Sequence, residues 1–385
     1  PLDSFTCEAY IKTLLKTRSM NRRILGQKID EQDWKEMGVD SVGKGIIYLS
    51  ESFTRIAFKK PDDIKLEVLS GRESGSNGYG FNFPTFINFY NNNVNVLTTA
   101  FALRGFIAHI SEGALNFDRY KYMGSFFEDN KEIHQVQVIP RRKFEPLFSG
   151  TINITEGDWR IHSLDLRLTK ESQLEILDTL FIKQLHVPVS NNVWRTKDQS
   201  MYFTIKQFGI DVTGTFLNVY NKYELAPAFT KKYFNNVVVK YDTAVNKKST
   251  AYWDTLRPVP LDPEEAKDYK IKDSAYQYRK DSVWTKAYID SMRSNQGKIT
   301  LSKIFLDGFR RSNYNPKKWT TFSFEPLLKQ IQYNTVEGIN VRSAFSIRRS
   351  FPKIKKQLVF EPHLRYGFSN GHFNAWASLR FDKNN

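Results

Sequence analysis

From Gln357 to Phe381 the side chains change character with a period of two. Leu358, Phe360, Leu364, Tyr366 and Phe368 are set against Gln357, Glu361, His363 and Arg365. After Ser369-Asn370-Gly371, the series Phe373, Ala375, Ala377, Leu379, Phe381 is set against Asn374, Trp376, Ser378 and Arg380. Successive side chains of a β-strand point to opposite faces, and Ser-Asn-Gly suits a tight turn. The segment is therefore expected to be a hairpin with arms of about ten residues, apolar on one face and polar on the other, as a transmembrane antiparallel β-barrel requires. "INVRSAFSIRR" extends the pattern, with Ile339, Val341, Phe345 and Ile347 on one face. An open edge in lipid would leave backbone groups unpaired, so such a sheet must close. Residues 298–385 supply about four or five strands where the smallest barrels use eight, so the barrel is expected to be unfinished within this sequence. A soluble sandwich with one wet face meets the same alternation and stands as the alternative.

Residues 1–255 carry the same period in shorter pieces. "SFTCEAYIKT" alternates from Phe5 to Ile11. "GIIYLSESFTRIAFKKP" and "DDIKLEVLSG" flank Pro61 and read as an antiparallel hairpin. "IHQVQVIP", "GTINITEGDW" and "RIHSLDLRLTK" follow, the last with Leu164, Leu166 and Leu168 opposite Ser163, Asp165 and Arg167. "SMYFTIKQFGIDVTGTFLNVYNKYEL" adds two more extended runs. Between them "NFPTFINFYNNNVNVL" and "ALNFDRYKYMGSFFEDN" have weak periodicity and are expected to be loops or short helices lying over a sheet. Residues 256–297 differ: Pro258, Pro260 and Pro263 lead into a charged stretch that Glu264 and Glu265 start as a helix, with Val283, Trp284, Ala287 and Tyr288 as one apolar stripe. The fold class is thus mainly β: an antiparallel, half-barrel-like β-rich domain at 1–255, a proline-led helical linker at 256–297, and the first strands of a barrel at 298–385. An aromatic content of 15% beside a mean hydropathy of −0.50 suits strands with one aromatic face, and no run approaches the ~20 apolar residues of a membrane-spanning helix.

The net charge of +16 comes from scattered residues and doublets such as Arg22-Arg23, Lys59-Lys60, Arg141-Arg142 and Arg348-Arg349. No continuous basic stripe forms, and nucleic acid is not an expected partner. Cys7 is the single cysteine, which excludes an internal disulfide and any multi-cysteine metal site. It alternates with Phe5, Ala9 and Ile11 and is expected to be buried.

"SGRESGSNGYG" (70–80) lacks the Lys of a phosphate cradle, and its Ser is one place late for a nucleophile elbow; it reads as a loop. His109, His134, His162, His186, His363 and His372 are too far apart in sequence for two ligands on one helix face. Asp62-Asp63 and Glu264-Glu265 are adjacent, not spaced to flank a scissile bond. Glu156 and Asp158 in "TEGDW" belong to a turn. No catalytic, cofactor-binding or metal-binding residue is assigned, no cofactor is expected, and the chain is expected to be non-enzymatic. The aromatic stretches "NFPTFINFY" and "SFFEDN" either line a concave half-barrel able to hold an acyl chain or form a helix packed into the sheet.

Four stretches, "IIYLSESFTRIAFKKPDDIKLEVLSGRESG" (46–75), "VIPRRKFEPLFSGTINITEGDWRIHSLDLRLTK" (138–170), "KITLSKIFLDG" (298–308) and "IQYNTVEGINV" (331–341), together resemble an uncharacterised family of Bacteroidetes outer-membrane proteins. In that family a carboxypeptidase-regulatory-like domain comes first, a periplasmic β-rich domain follows, and an outer-membrane β-barrel ends the chain. The resemblance implies further residues before Pro1 and after Asn385, residues 1–297 in the periplasm, outer-membrane lipid and other envelope proteins as partners, and a role in transport, envelope assembly or lipid or polypeptide handling. It supplies no site residue and no small-molecule ligand. The alternative is a secreted soluble β-sandwich that binds a glycan or protein, for which Trp159, Trp194, Trp319 and Trp376 should be exposed as platforms.

Overall fold

The structure, a computed structural model, describes residues 3–383 except 25–26, 29–33, 35–37, 97–104, 175, 191, 208, 231, 236, 283–284, 297–298, 314–318, 352–353 and 355. Two compact units divide between Tyr276 and Gln277. The chain is mainly β, with two large sheets.

The first unit is built on one eleven-stranded sheet. Its strands are β1 (Ser4–Met20), β2 (Gly45–Lys59), β3 (Asp63–Glu73), β4 (Asp118–Glu128), β5 (Lys131–Pro140), β6 (Ser149–Thr155), β7 (Ile161–Thr169), β8 (Thr179–Ser190), β9 (Val193–Gln207), β10 (Ile210–Leu225) and β11 (Val239–Tyr241). Their spatial order is β11-β3-β2-β1-β10-β9-β8-β7-β6-β5-β4. Only β11 beside β3 is parallel; the other neighbours in this sheet are antiparallel. The hairpin read around Pro61 is β2–β3, with Lys59 opposite Asp63.

Alternation gives this sheet two faces. On the first lie Cys7, Ala9 and Ile11 of β1, against Ile56, Leu66 and Tyr220. Leu164, Leu166, Leu168, Leu180 and Ile182 continue the same face as a core, so the three leucines of β7 do point inward together. The cover is the aromatic segment that follows β3. It forms no helix: it crosses the sheet as an extended strap and buries Ile87, Phe89, Val94 and Val96, joined by Phe106 and Ala108. A chain without regular structure must satisfy its backbone through side chains. Here Gln199 Nε2 donates to Thr85 O at 2.6 Å, Gln184 Nε2 to Ile87 O at 2.9 Å, and Tyr220 Oη to Thr85 O at 3.3 Å.

The second face is covered over β1 and β2 by helices α1 (Thr250–Leu256) and α2 (Pro263–Ser282). Trp253 of α1 packs on Tyr10 and Phe53, and Tyr269 of α2 on Ile46 and Leu49. The proline-led stretch therefore supplies part of the first unit, since residues of α2 up to Tyr276 belong to it. The stripe residues Val283 and Trp284 lie outside the described residues.

One expectation is corrected. Residues 118–128 are neither loop nor short helix but the edge strand β4, paired with β5 along its length. A register shift between Tyr122 and Gly124 breaks the period of two, so the sequence hides a strand that the ladder maintains.

The second unit carries α3 (Lys286–Ser294) and a six-stranded sheet: β12 (Phe309–Asn313), β13 (Trp319–Phe324), β14 (Ile331–Asn334), β15 (Gly338–Phe351), β16 (Lys356–Gly367) and β17 (Phe373–Lys383). The order is β12-β13-β15-β16-β17, with β14 also paired to β15. The hairpin of 357–381 is β16–β17, with His363 opposite Trp376. Among the described residues this sheet is open and does not close into a barrel.

Candidate functional site

The polarity of the second sheet is inverted relative to a sheet folded for water. Phe373, Leu379 and Phe381 of β17 are 63%, 68% and 60% exposed. Phe360, Leu364 and Tyr366 of β16 and Ile339 of β15 are exposed on the same side. Among the sheet's described residues Val359 is the single fully buried apolar side chain, while Thr321 and Asn340 are buried and polar. Burying a large apolar side chain is worth about 1.5–3 kcal/mol, so a surface of this kind has not been matched to a partner within its own unit.

The other side holds the polar contacts. The His363 ring stacks on Trp376 at 5.0 Å and 16°, and Arg342 Nη2 reaches to 3.4 Å from His363 Nδ1. Arg365 pairs with Glu337. Gln357 Nε2 and Arg380 Nε both donate to Asp382 Oδ2, at 3.1 and 3.0 Å, and Ser378 Oγ donates to Glu361 at 3.3 Å. Charge-bearing groups are thus held by neighbours on the side away from the exposed Phe and Leu residues, together with Trp376. No helix among the described residues is long and apolar enough to cross a membrane, a statement that leaves strands untouched.

The residues weighed in the sequence fall at separate places. Cys7 is buried, and burial pushes its thiol up to about 12, which removes the thiolate needed for reactivity. The 70–80 stretch ends β3 in a partly buried turn held against α2, where Ser74 Oγ donates to Asp268 Oδ2 at 2.6 Å and Gly75 N to Asp273 Oδ1 at 2.9 Å. Asp62 and Asp63 are exposed in the β2–β3 turn. Glu264 and Glu265 start α2, where Glu264 pairs with Lys16 and Glu265 with Lys12 at 2.9 Å; they hold a helix on a sheet. His134 Nε2 lies 2.5 Å from Glu156 Oε2, and Trp159 stacks on the His134 ring. His162 touches Trp194 edge-on. His186 is pushed down to about 4 by burial and by the neighbouring His162. His372 lies in the β16–β17 turn. Of the four tryptophans, Trp159 is 66% exposed, Trp376 is half exposed, and Trp194 and Trp319 are half-buried.

One pair escaped the sequence reading. His109 Nδ1 lies 2.7 Å from Asp118 Oδ2 with both side chains buried. Phe148 packs edge-on against the imidazole. The two are nine positions apart, joined through a bend and the helical turn Ala114–Phe117, so no periodicity announces them.

The chain matches the model of the family of unknown function DUF5686 over residues 1–223 and that family's C-terminal domain over residues 302–385. No curated protein matches it. Similar solved structures include a Vibrio parahaemolyticus domain named for outer-membrane lipoprotein sorting, with 10% identity and a TM-score of 0.23 over 60% of this chain and 89% of that one. A LolA superfamily protein from Nitrosomonas europaea gives 11% identity and a TM-score of 0.22 over 61% and 91%. Lipovitellin gives 6% and 0.25 over 60% and 26%. None of these scores amounts to a shared fold. With its first 223 residues and its last 84 both matched, the chain belongs to the family of unknown function DUF5686.

Proposed function

We propose that this chain is a non-enzymatic protein of the outer membrane, working in transport, envelope assembly or the handling of lipid or polypeptide. In this reading the second sheet forms opening strands of an antiparallel β-barrel and the first unit lies on the periplasmic side. The observation that carries it is the inverted polarity of β15–β17. Exposed Phe, Leu and Ile on one side and a charged, hydrogen-bonded side opposite is the pattern lipid outside and water inside select.

Single-cysteine scanning tests it, because the native Cys7 is buried. In membranes, Leu379→Cys and Phe381→Cys should resist a water-soluble maleimide, whereas Ser378→Cys and Arg380→Cys should react. Equal reaction at all four positions, or release of the protein by a carbonate wash, would overturn the reading.

A second reading, a soluble module that binds saccharide, is favoured by Trp159. Its ring stacks on His134 at 5.9 Å and 19°, while Glu156 holds the imidazole at Nε2. A sugar ring could stack on the free side of the indole. Retention on a glycan array that is lost in Trp159→Ala, by a protein needing no detergent, would favour it.

A further inference from the structure

We propose that the uncovered second face of the first sheet binds an anionic amphiphile, with a phosphate-type headgroup at Arg167 and an acyl chain along Ile139 and Phe181. The inference deepens the envelope reading but needs only the first unit. Helices α1 and α2 cover this face over β1 and β2; over β5–β8 it carries two adjoining cavities of about 490 and 760 Å3. Ile139, Ser149 and Arg167 line both.

The register explains why these side chains meet. Arg167 of β7 stands opposite Ser149 of β6 on one flank and Phe181 of β8 on the other. Phe181 in turn stands opposite Tyr202 of β9, with the two rings 6.2 Å apart. Neighbouring strands lie about 4.8 Å apart, so one transverse row sets a cation between a hydroxyl and an aromatic ring.

The smaller cavity offers Ile139 and Phe181 as an apolar floor, and its one carboxylate, Asp165, is neutralised by Lys183 at 2.7 Å. The larger cavity sets five bases against three carboxylates. The carboxylates are taken: Glu145 by Arg142 at 3.0 Å, Glu171 by Lys143 at 3.8 Å, and Asp178 by Lys170 at 2.5 Å. Arg167 is held by one bond, from its Nε to Ser149 Oγ at 3.1 Å, and its two terminal nitrogens have no partner among the described residues. A guanidinium fixed at one edge with its fork free suits a phosphate or carboxylate oxygen pair. Phe144, 67% exposed with φ 63°, stands at the rim of the larger cavity, and its carbonyl accepts from Gln173 Nε2 at 2.7 Å. A bulky side chain in the left-handed region needs such an outside hold, and its exposed ring is placed to close over a chain.

The test uses the full chain in neutral maltoside micelles with a diazirine-bearing alkyl phosphate, the labelled residues being mapped by mass spectrometry. Labelling is expected within 137–151 and 181–202. It should fall at least tenfold in Arg167→Gln, and severalfold in the surface variant Lys143→Gln, whose exposed side chain is not needed for folding. Labelling of 331–381 by the same probe reports separately on the second sheet and should not change. The proposal is overturned by cleft labelling unchanged in both variants, by an uncharged alkyl glycoside probe labelling the cleft equally, or by displacement with millimolar inorganic phosphate, which would mark a site for the free anion.

Discussion

Glu51 of β2 and Arg257 at the end of α1 form a buried two-point pair: Arg257 Nε donates to Oε1 at 2.6 Å and Nη2 to Oε2 at 3.0 Å. Tyr10 Oη donates to the same Oε1 at 2.7 Å. Glu51 is wholly buried and the Arg257 side chain nearly so. Removing one partner leaves a desolvated charge, which costs about 3–5 kcal/mol, whereas replacing both by apolar groups is often near neutral. Arg257→Met is therefore expected to destabilise the first unit by about that amount, and Glu51→Leu with Arg257→Met to recover part of it, less the roughly 1–3 kcal/mol of the buried Tyr10 hydroxyl that loses its acceptor. Urea unfolding followed by tryptophan fluorescence measures this directly, since Trp253 packs in the adjoining cluster.

His186 makes the first unit acid-sensitive. Its folded value of about 4 lies below the ordinary 6.5, through burial first and His162 second. The unfolded chain takes up a proton as pH falls through 6.5 while the folded one does not until about 4, so stability is full above 6.5 and declines between those values. At about 1.4 kcal/mol per unit the full loss is roughly 3.5 kcal/mol. His186→Leu should flatten this part of a stability-against-pH curve; an unchanged slope would assign the sensitivity elsewhere.

The strap depends on two glutamines. Gln199→Leu removes one of the two donors to Thr85 O, leaving Tyr220 Oη, and takes away the acceptor near Ile87 N, so the buried Ile87 N–H is left unmatched at about 1–3 kcal/mol. Limited proteolysis should then cut within 80–96 at least severalfold faster, while Gln207→Leu, outside the strap contacts, should not change it.

Charge placed on the exposed side of β17 should oppose insertion. Leu379→Arg is expected to cost up to about 4 kcal/mol in a bilayer, while Ser378→Arg, one residue away on the other side, should cost little. Heat-modifiable migration after refolding into lipid separates the two outcomes.

How much of this was legible depends on the distance over which each contact acts. The β16–β17 hairpin, the β2–β3 hairpin and the inward leucines of β7 could be read because a period of two is local. Strand β4 was hidden by the shift at Gly124. The strap was recognisable as irregular, but its place across the first face depends on Gln184 and Gln199, about a hundred residues downstream. Glu51 and Arg257 are 206 residues apart, and no spacing rule links them. The open cavities at Arg167 arise from strand register, which a single sequence does not specify.

The strap also decides which side of the first sheet can take cargo. Ile87, Phe89, Val94 and Val96 already fill the greasy hollow where a fatty tail would otherwise settle. A guest there would have to evict part of the host's own chain together with its amide anchors. In the binding mode proposed above, selection among ligands is thereby handed to the reverse side, to a tail that tolerates Phe181 and a head that answers Arg167.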